Sequence, residues 1–392
     1  MIHKQTFAVN YSYEVHFTQA LFELSNPTFH KALTANSSRL PVRFVVVIDD
    51  GVLACHPELI NKLTAYSRHF VDLQLASEPM VLPGGEGIKN DFSRVFECLN
   101  YLDEAKIDRH SFLIAIGGGA LLDMAGFAAA VGHRGVKHIR IPTTVLSQND
   151  SAVGVKNGVN FNAKKNFIGT FAPPESVLCD ADFLTTLSDR DWRSGIPEAI
   201  KVSLLKDPEF YEWIEQNAAA LNHRNLQVMT ELVQRCAVLH MEHISSYGDP
   251  FEKGTSRPLD FGHWAAHKLE QLTDFELRHG EAVAIGLALD NIYAWKKGML
   301  PKKDCDRILD CLDSLGFSLY HPMLMDEDEE AINPELTKGL EEFREHLGGQ
   351  LTIMLLEGIG KPREVHSMDY QLIEESVLHL KAIFHSSYAD PS

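Results

Sequence analysis

Glu198, His263, His267 and His279 are the residue types in this chain best suited to hold a metal and work on what binds there. Glu198 lies in Ser194-Gly195-Ile196-Pro197-Glu198-Ala199-Ile200-Lys201. His263 and His267 lie in Asp260-Phe261-Gly262-His263-Trp264-Ala265-Ala266-His267, and His279 in Arg278-His279-Gly280-Glu281-Ala282. A spacing of four places two imidazoles on one helical face, so both can point into one cleft. Two imidazoles and a carboxylate, with a position left open, suit a catalytic Zn2+, and Co2+ accepts the same donors. The chain holds 19 histidines, so pairs at this spacing also arise by chance, and a buried histidine is often simply hydrogen-bonded.

Two further stretches could do chemistry. Phe112 to Ile116 is a short apolar run, followed by Gly117-Gly118-Gly119 and then an Ala/Leu/Met-rich segment. Glycines let backbone N–H groups approach a diphosphate, and a helix N-terminus adds favourable partial charge. The same pattern also serves as a plain tight turn. Between Thr143 and Lys165, small polar residues, glycines and lysines interrupt an apolar neighbourhood. Lys156, Lys164 and Lys165, with Asn162 and Asn166, suit a phosphate; as an exposed loop they would be ordinary solvated side chains.

The elements that must position these residues fall into two textures. Residues 1–185 alternate strand-like and helix-like segments: strands at Phe44–Ile48, Met80–Leu82, Phe112–Ile116 and His138–Pro142, with a helix over Asp91–Glu104. This predicts an α/β layer on a mostly parallel sheet. Such sheets bind ligands beyond the carboxyl ends of their strands, where Asp49, Glu86 and Gly117–Gly119 fall. From 186 to 392 long helical segments dominate, at 195–206, 208–219, 225–243, 260–272 and 280–297, with one strand near Leu351–Leu355. The acidic run Asp326–Glu330 reads as a solvated loop and Ser386–Ser392 as a frayed end.

A length of 392 residues suits two domains, and 45% hydrophobic with 23% charged residues is the balance of a soluble protein. The formal net charge of −18 argues against binding a nucleic-acid backbone or an acidic membrane surface. No run approaches transmembrane length, the N-terminus lacks an apolar leader, and the six cysteines form no CxxC pair. The expectation is a cytoplasmic protein with reduced, mostly buried thiols.

Taken in order, several short motifs resemble one family. They are Gly-Gly-Glu-x-x-Lys at 84–89, Gly-Gly-Gly-x-x-x-Asp at 117–123, Pro-Thr-Thr at 142–144, Asp-Ser-x-Val-Gly-x-Lys at 150–156 and Lys-Asn-x-Ile-Gly at 165–169. Pro-Glu-x-x-Lys at 197–201, Gly-His at 262–263 and His-Gly-Glu-Ala-Val at 279–283 complete the series. Over about residues 40–300 the chain resembles the sugar phosphate cyclases, whose best-known member is 3-dehydroquinate synthase. The resemblance implies that fold: an NAD-binding α/β domain over 1–185 and a mainly helical metal- and substrate-binding domain over 186–392.

It also implies residue roles. NAD contacts fall to Asp49, Glu86, Lys89, Gly118, Gly119, Asp123, Thr143, Thr144, Lys165 and Thr186. Glu198, His263 and His279 would bind the metal. Asp150, Lys156, Asn166, Lys201, Arg257, Asp260 and His267 would line the substrate site, and Arg134 would reach the phosphate pocket of a neighbouring subunit, implying a homodimer. The implied reaction oxidises a ring carbinol transiently, eliminates phosphate, restores the hydride, opens the ring and closes a carbocycle by intramolecular aldol addition, regenerating NAD each turnover.

Departures from the family pattern bear on the substrate. Where 3-dehydroquinate synthases usually read Leu-Asn-x-Gly-His, this chain reads Leu259-Asp260-Phe261-Gly262-His263. Met241-Glu242-His243 stands where they carry a lysine, and the region of Arg344-Glu345-His346 where they carry a C-terminal one. Acidic groups repel a substrate carboxylate. Sedoheptulose 7-phosphate, which lacks one, fits better. The stretch Arg257–Glu270, with His267 retained, is most similar to the EboD-like or 2-epi-valiolone synthase branch. The alternatives are a 3-dehydroquinate synthase acting on 3-deoxy-D-arabino-heptulosonate 7-phosphate, a metal-dependent alcohol dehydrogenase of related fold, and a non-catalytic binding role.

Overall fold

A computed structural model of the chain describes all residues except 36, 38, 163, 247–249, 252–257, 329, 347–348 and 385–392. Arg257 and the terminal stretch Ser386–Ser392 lie outside the described residues. The chain divides into two compact units, Met1–Thr186 and Leu187–Ser392.

The first unit contains β1 (Glu14–Thr18), α1 (Thr28–Thr34), β2 (Val42–Asp49), α2 (Asp50–Cys55), α3 (Leu59–His69), β3 (Leu73–Leu75) and β4 (Met80–Leu82). It continues with α4 (Ser93–Glu104), β5 (Phe112–Gly117), α5 (Gly119–Val131), β6 (Lys137–Pro142), α6 (Val145–Asn149), β7 (Lys156–Phe161), β8 (Lys164–Phe171) and β9 (Ser176–Asp180). Among the described residues, one sheet runs in the order β1-β9-β6-β5-β2-β3, with β4 also pairing β2, and every pairing is parallel.

The apolar runs explain this. All six residues of β5 are buried, as a strand covered on both faces requires. Alternate side chains serve opposite faces: Val45, Val47, Leu113 and Ala115 pack with α4 and α5, while Phe44, Val46, Ile114 and Ile116 pack with α1 and α3. After β2 the chain adds β3 and β4 on one side, then returns to place β5 on the other. That reversal is a topological switch point, which opens a crevice at the carboxyl ends of β2 and β5.

Strands β1, β3 and β9 join the four that the sequence pattern marks, each of them only three to five residues long. The lysine-bearing stretch 156–171 is not an open loop. It forms an antiparallel hairpin of β7 and β8.

The second unit is chiefly helical: α7 (Asp189–Arg193), α8 (Ile196–Lys206), α9 (Pro208–Asn222), α10 (Leu226–Ser246), α11 (His263–Leu272), α12 (His279–Lys296), α13 (Lys302–Ser314), α14 (Pro334–His346) and α15 (Tyr370–Phe384). An antiparallel pair, β10 (Ile353–Gly358) and β11 (Lys361–Val365), lies between the last two helices. Helix α12 is buried on all sides from Ala282 to Ala294, which marks it as the centre of the unit.

The helix expected from 260 begins at His263, because residues 258–260 form a separate 3-10 turn and Gly262 is left-handed at φ +75°. None of the described helices is long and apolar enough to cross a membrane. The six cysteines are free thiols, five of them buried, and burial pushes Cys98, Cys305 and Cys311 up to about 12.

Candidate functional site

In the second unit three helix N-termini converge. Glu198 sits in the first turn of α8, His263 opens α11 and His279 opens α12. Two close approaches make this possible. A Cβ on Gly280 would lie 1.8 Å from the Ser194 carbonyl oxygen, so only glycine lets α12 start against the turn leading into α8. A Cβ on Gly286 would lie 2.0 Å from the Gly262 carbonyl oxygen, so α11 and α12 also meet backbone to backbone.

The donor atoms follow from that packing. Glu198 Oε1 lies 3.3 Å from His263 Nε2 and 3.2 Å from His279 Nε2. Ligands about 2.0–2.1 Å from a tetrahedral metal sit about 3.3 Å from one another, so Glu198 Oε1 stands at that spacing from each imidazole nitrogen, and all three donors lie within 4.8 Å of one another. Each imidazole is held by its other nitrogen. His263 Nδ1 donates to the Phe261 carbonyl at 3.0 Å, and His279 Nδ1 is 3.3 Å from Glu270 Oε2. Both arrangements leave the Nε2 lone pair facing Glu198, the tautomer a divalent metal needs.

Glu198 Oε2 meets the buried Lys201 ammonium in a close ion pair. Burial would push the Glu198 carboxyl upward. Lys201, then His263 and His279, instead hold it well below the usual carboxylate range. A fully buried carboxylate with two imidazoles and no further protein donor in the set therefore fits a divalent cation. His267 lies beside the cluster, its ring centroid 5.3 Å from that of His263, and Asp260 is half-buried in the turn before α11.

Glu270 is the participant that the motif reading misses. The spacing 263, 267, 270 was a usable signal, because it puts all three on one face of α11. His267, Glu270 and His279 form a second close set of donor atoms, which shares His279 with the first.

In the first unit the glycine motifs fold against Asp49 at the switch point. Asp49 caps α2, its Oδ1 accepting the N–H of Gly51 at 2.9 Å and Val52 at 3.3 Å. A Cβ on Gly84 would lie 2.4 Å from Asp49 Oδ2, and one on Gly117 would lie 3.0 Å from Asp49 Cβ. Both motifs therefore need glycine to close on this carboxylate. Burial raises the Asp49 pKa, while the N–H groups of Val52, Gly51 and Gly118 oppose the rise. Gly118 is the N-cap of α5 and Gly119 its first residue, so this N-terminus opens at the crevice.

Glu86, Lys89, Asp123 and Asn166 form one network. Buried Lys89 donates to Asp123 Oδ2 at 2.8 Å, contacts Asn166 Oδ1 closely and lies 3.8 Å from Glu86. Asn160, which the motif reading passes over, ties them together: its Oδ1 accepts the Asn166 N–H at 2.8 Å and its Nδ2 lies 3.4 Å from Glu86. Asn166 thus groups with the residues expected to contact NAD. Thr143 N–H donates to the Gly117 carbonyl at 3.1 Å, and the Thr144 hydroxyl caps α6.

Lys165 is half-buried on β8, Asp150 half-buried after α6, and Lys156 exposed at the start of β7. Thr186 is exposed and contacts His56 at 2.9 Å. Arg134 is exposed beyond the far end of the 13-residue α5, about 20 Å from the glycine turn, so it does not join that turn within its own chain. On α14, Arg344 pairs with Glu341 at 2.5 Å on an exposed face.

Comparison with known proteins adds the following. Residues 79–194 match the 3-dehydroquinate synthase N-terminal family and residues 195–335 the 3-dehydroquinate synthase C-terminal family. The 3-dehydroquinate synthase of Shewanella pealeana is 32% identical over 367 residues, 93% of this chain and 96% of its own length. Among solved structures, 2-epi-5-epi-valiolone synthase from Streptomyces hygroscopicus subsp. jinggangensis, with NAD+ and Zn2+ bound, superposes with a TM-score of 0.86 at 30% identity, covering 97% of this chain and 99% of that one. A 2-deoxy-scyllo-inosose synthase complexed with carbaglucose-6-phosphate, NAD+ and Co2+ shares the fold, with a TM-score of 0.72 at 22% identity over 95% of this chain and 96% of that one.

Proposed function

Since this chain belongs to the 3-dehydroquinate synthase family of sugar phosphate cyclases, we propose that it is an NAD- and metal-dependent cyclase acting on sedoheptulose 7-phosphate. It eliminates phosphate and closes a carbocycle by intramolecular aldol addition, giving a valiolone-type product. The observation that carries the reading is the set of Glu198, His263 and His279 donors at three converging helix N-termini, with Lys201 alongside.

When bound, NAD supplies a transient hydride acceptor and Zn2+ or Co2+ a Lewis acid at the sugar hydroxyl. The chain's own residues do the rest. Glu198, His263 and His279 hold the metal, and Asp49, Glu86, Lys89, Gly118, Gly119, Asp123, Thr143, Thr144, Lys165 and Thr186 serve the nucleotide. Lys156 holds the phosphate, Asn166 lines the substrate site from its place in the Lys89–Asp123 network, and Lys201 stabilises developing negative charge as an ammonium donor. His267 moves the proton between substrate and solvent. Asp150, Asp260 and Arg257 line the sugar, and Arg134 completes the phosphate pocket of a second copy in a homodimer.

Asp260 supports a substrate without a carboxylate, because an acidic group before the metal ligands repels one. The likeness to a valiolone synthase at 30% identity supports the same choice. The dehydroquinate synthase reading is favoured by the sequence relatives, which bear that name. One experiment separates the two. The protein is incubated with NAD and Zn2+, once with sedoheptulose 7-phosphate and once with 3-deoxy-D-arabino-heptulosonate 7-phosphate, and released phosphate is measured. Release from the first alone is the expected result, and release from the carboxylated sugar alone overturns it.

A further inference from the structure

We infer that Arg140 is a positioning residue that fixes the loop carrying Asp150 and Lys156. Arg140 lies on β6 between Ile139 and Ile141, whose side chains fill the opposite face of the sheet. Its own face is packed by α5, where an apolar residue would be the simple choice. Instead a guanidinium is buried there, 1% exposed.

Its four hydrogen-bond acceptors lie in one short segment, residues 152–157, which runs from the loop into the start of β7. Nη1 donates to the carbonyls of Ala152 at 2.8 Å and Gly154 at 2.7 Å. Nη2 donates to the Lys156 carbonyl at 2.9 Å and to Asn157 Oδ1 at 2.7 Å. None of the four is a carboxylate, so the charge is spent on backbone and amide oxygens. Only a planar fork with several donors can serve four acceptors in this layout, and a lysine ammonium has three donors at a single point.

The surroundings reinforce the clamp. The Tyr13 hydroxyl donates to the Val153 carbonyl at 2.6 Å, and Asn157 Nδ2 donates to the Ala172 carbonyl at 2.9 Å. A Cβ on Gly126 would lie 1.9 Å from Asn157 Oδ1, so the loop is pressed against α5. A Cβ on Gly119 would lie 2.6 Å from Ser151 Oγ, so the same loop borders the glycine turn. Arg140 therefore sets where Lys156 leaves the sheet layer relative to the N-terminus of α5. Its effect on ligand binding rests on the proposed role of Lys156 as a phosphate holder.

The test compares Arg140→Gln and Arg140→Lys with Lys156→Ala. Amide hydrogen exchange across 152–157 is measured against that of β5 and α5. Affinities for sedoheptulose 7-phosphate, inorganic phosphate and NAD are measured on the Zn2+-loaded protein. Arg140→Gln is expected to speed exchange across 152–157 at least tenfold and to weaken both phosphate ligands at least tenfold, with NAD affinity within twofold of the parent. Arg140→Lys, which keeps a buried charge, is expected to recover part of both effects.

Unchanged exchange and unchanged phosphate affinity in Arg140→Gln overturn the inference. So does a parallel loss of NAD affinity and of protection throughout the unit, because that marks a merely structural role. If Lys156→Ala binds the phosphates as tightly as the parent, the phosphate role of Lys156 fails. The clamp then stands or falls on the exchange rates of the arginine variants alone.

Discussion

At the residue scale, the cluster of Glu198, His263 and His279 shows how one carboxylate can be divided between partners. Glu198 turns Oε1 to two imidazoles and Oε2 to the Lys201 ammonium, which favours its ionised form against the cost of burial. Glu270 acts one step further out, by holding His279 through Nδ1. Replacing such an outer partner usually costs about 10–100-fold in metal affinity. Glu270→Gln should show a loss in that range by chelator competition with Zn2+, and an affinity equal to the parent would remove Glu270 from the centre. Asp260 carries the argument on substrate choice. Asp260→Asn should improve turnover of the carboxylated sugar relative to sedoheptulose 7-phosphate by about two- to fivefold, the scale of a partly exposed charge–charge interaction. An unchanged ratio in competition assays would mean that specificity is set elsewhere.

At the scale of elements, glycine decides which helices can meet. Helices α8, α11 and α12 bring their N-termini together because Gly280 and Gly286 lie flush against the backbone at Ser194 and Gly262. Gly280→Ala forces α12 away from the turn before α8. It should lower the unfolding free energy by about 1–3 kcal/mol, as overpacking typically does. Because His279 is the neighbouring residue, Zn2+ affinity should fall with it. Denaturation and metal titration on the same variant check both, and a destabilised variant with unaltered metal affinity would show that the ligands reposition independently of the helices. The hairpin of β7 and β8 shows the limits of local reading. Its lysines and asparagines look like loop residues, and its short apolar positions pair only once the chain has folded back.

At the scale of the whole molecule, a buried acid makes stability depend on pH. Asp290 on α12 is fully buried and accepts the Trp264 indole N–H at 2.8 Å and the Gly262 N–H at 3.0 Å. Burial pushes its pKa up to about 7 against the pull of those two hydrogen bonds. From about pH 4, where an unfolded carboxyl ionises, to about pH 7, the folded chain keeps a proton that the unfolded chain has released. Stability is therefore greatest below that window and falls as pH rises through it, by up to about 4 kcal/mol for a three-unit difference. Asp290→Asn should remove this slope, so the parent loses stability relative to the variant as pH rises. Parallel unfolding curves for the two proteins from pH 4 to 7 would contradict the assignment.

Much of this protein is readable from order along the chain. The apolar runs at 44–48 and 112–116 define parallel strands because only a doubly covered strand is apolar at every position. The motif series from Gly84 to Val283 identifies the family, because most of its motifs combine a glycine that permits a close approach with a polar residue that uses it. Only the tertiary structure decides the supports behind those residues. Glu270, Asn160, Arg140 and Asp290 carry no motif of their own, and each acts across a contact between elements. Local periodicity records which face of a helix or strand is apolar. It does not record which buried polar atom meets which, since that depends on how closely two backbones pack, and here a few glycines set that distance.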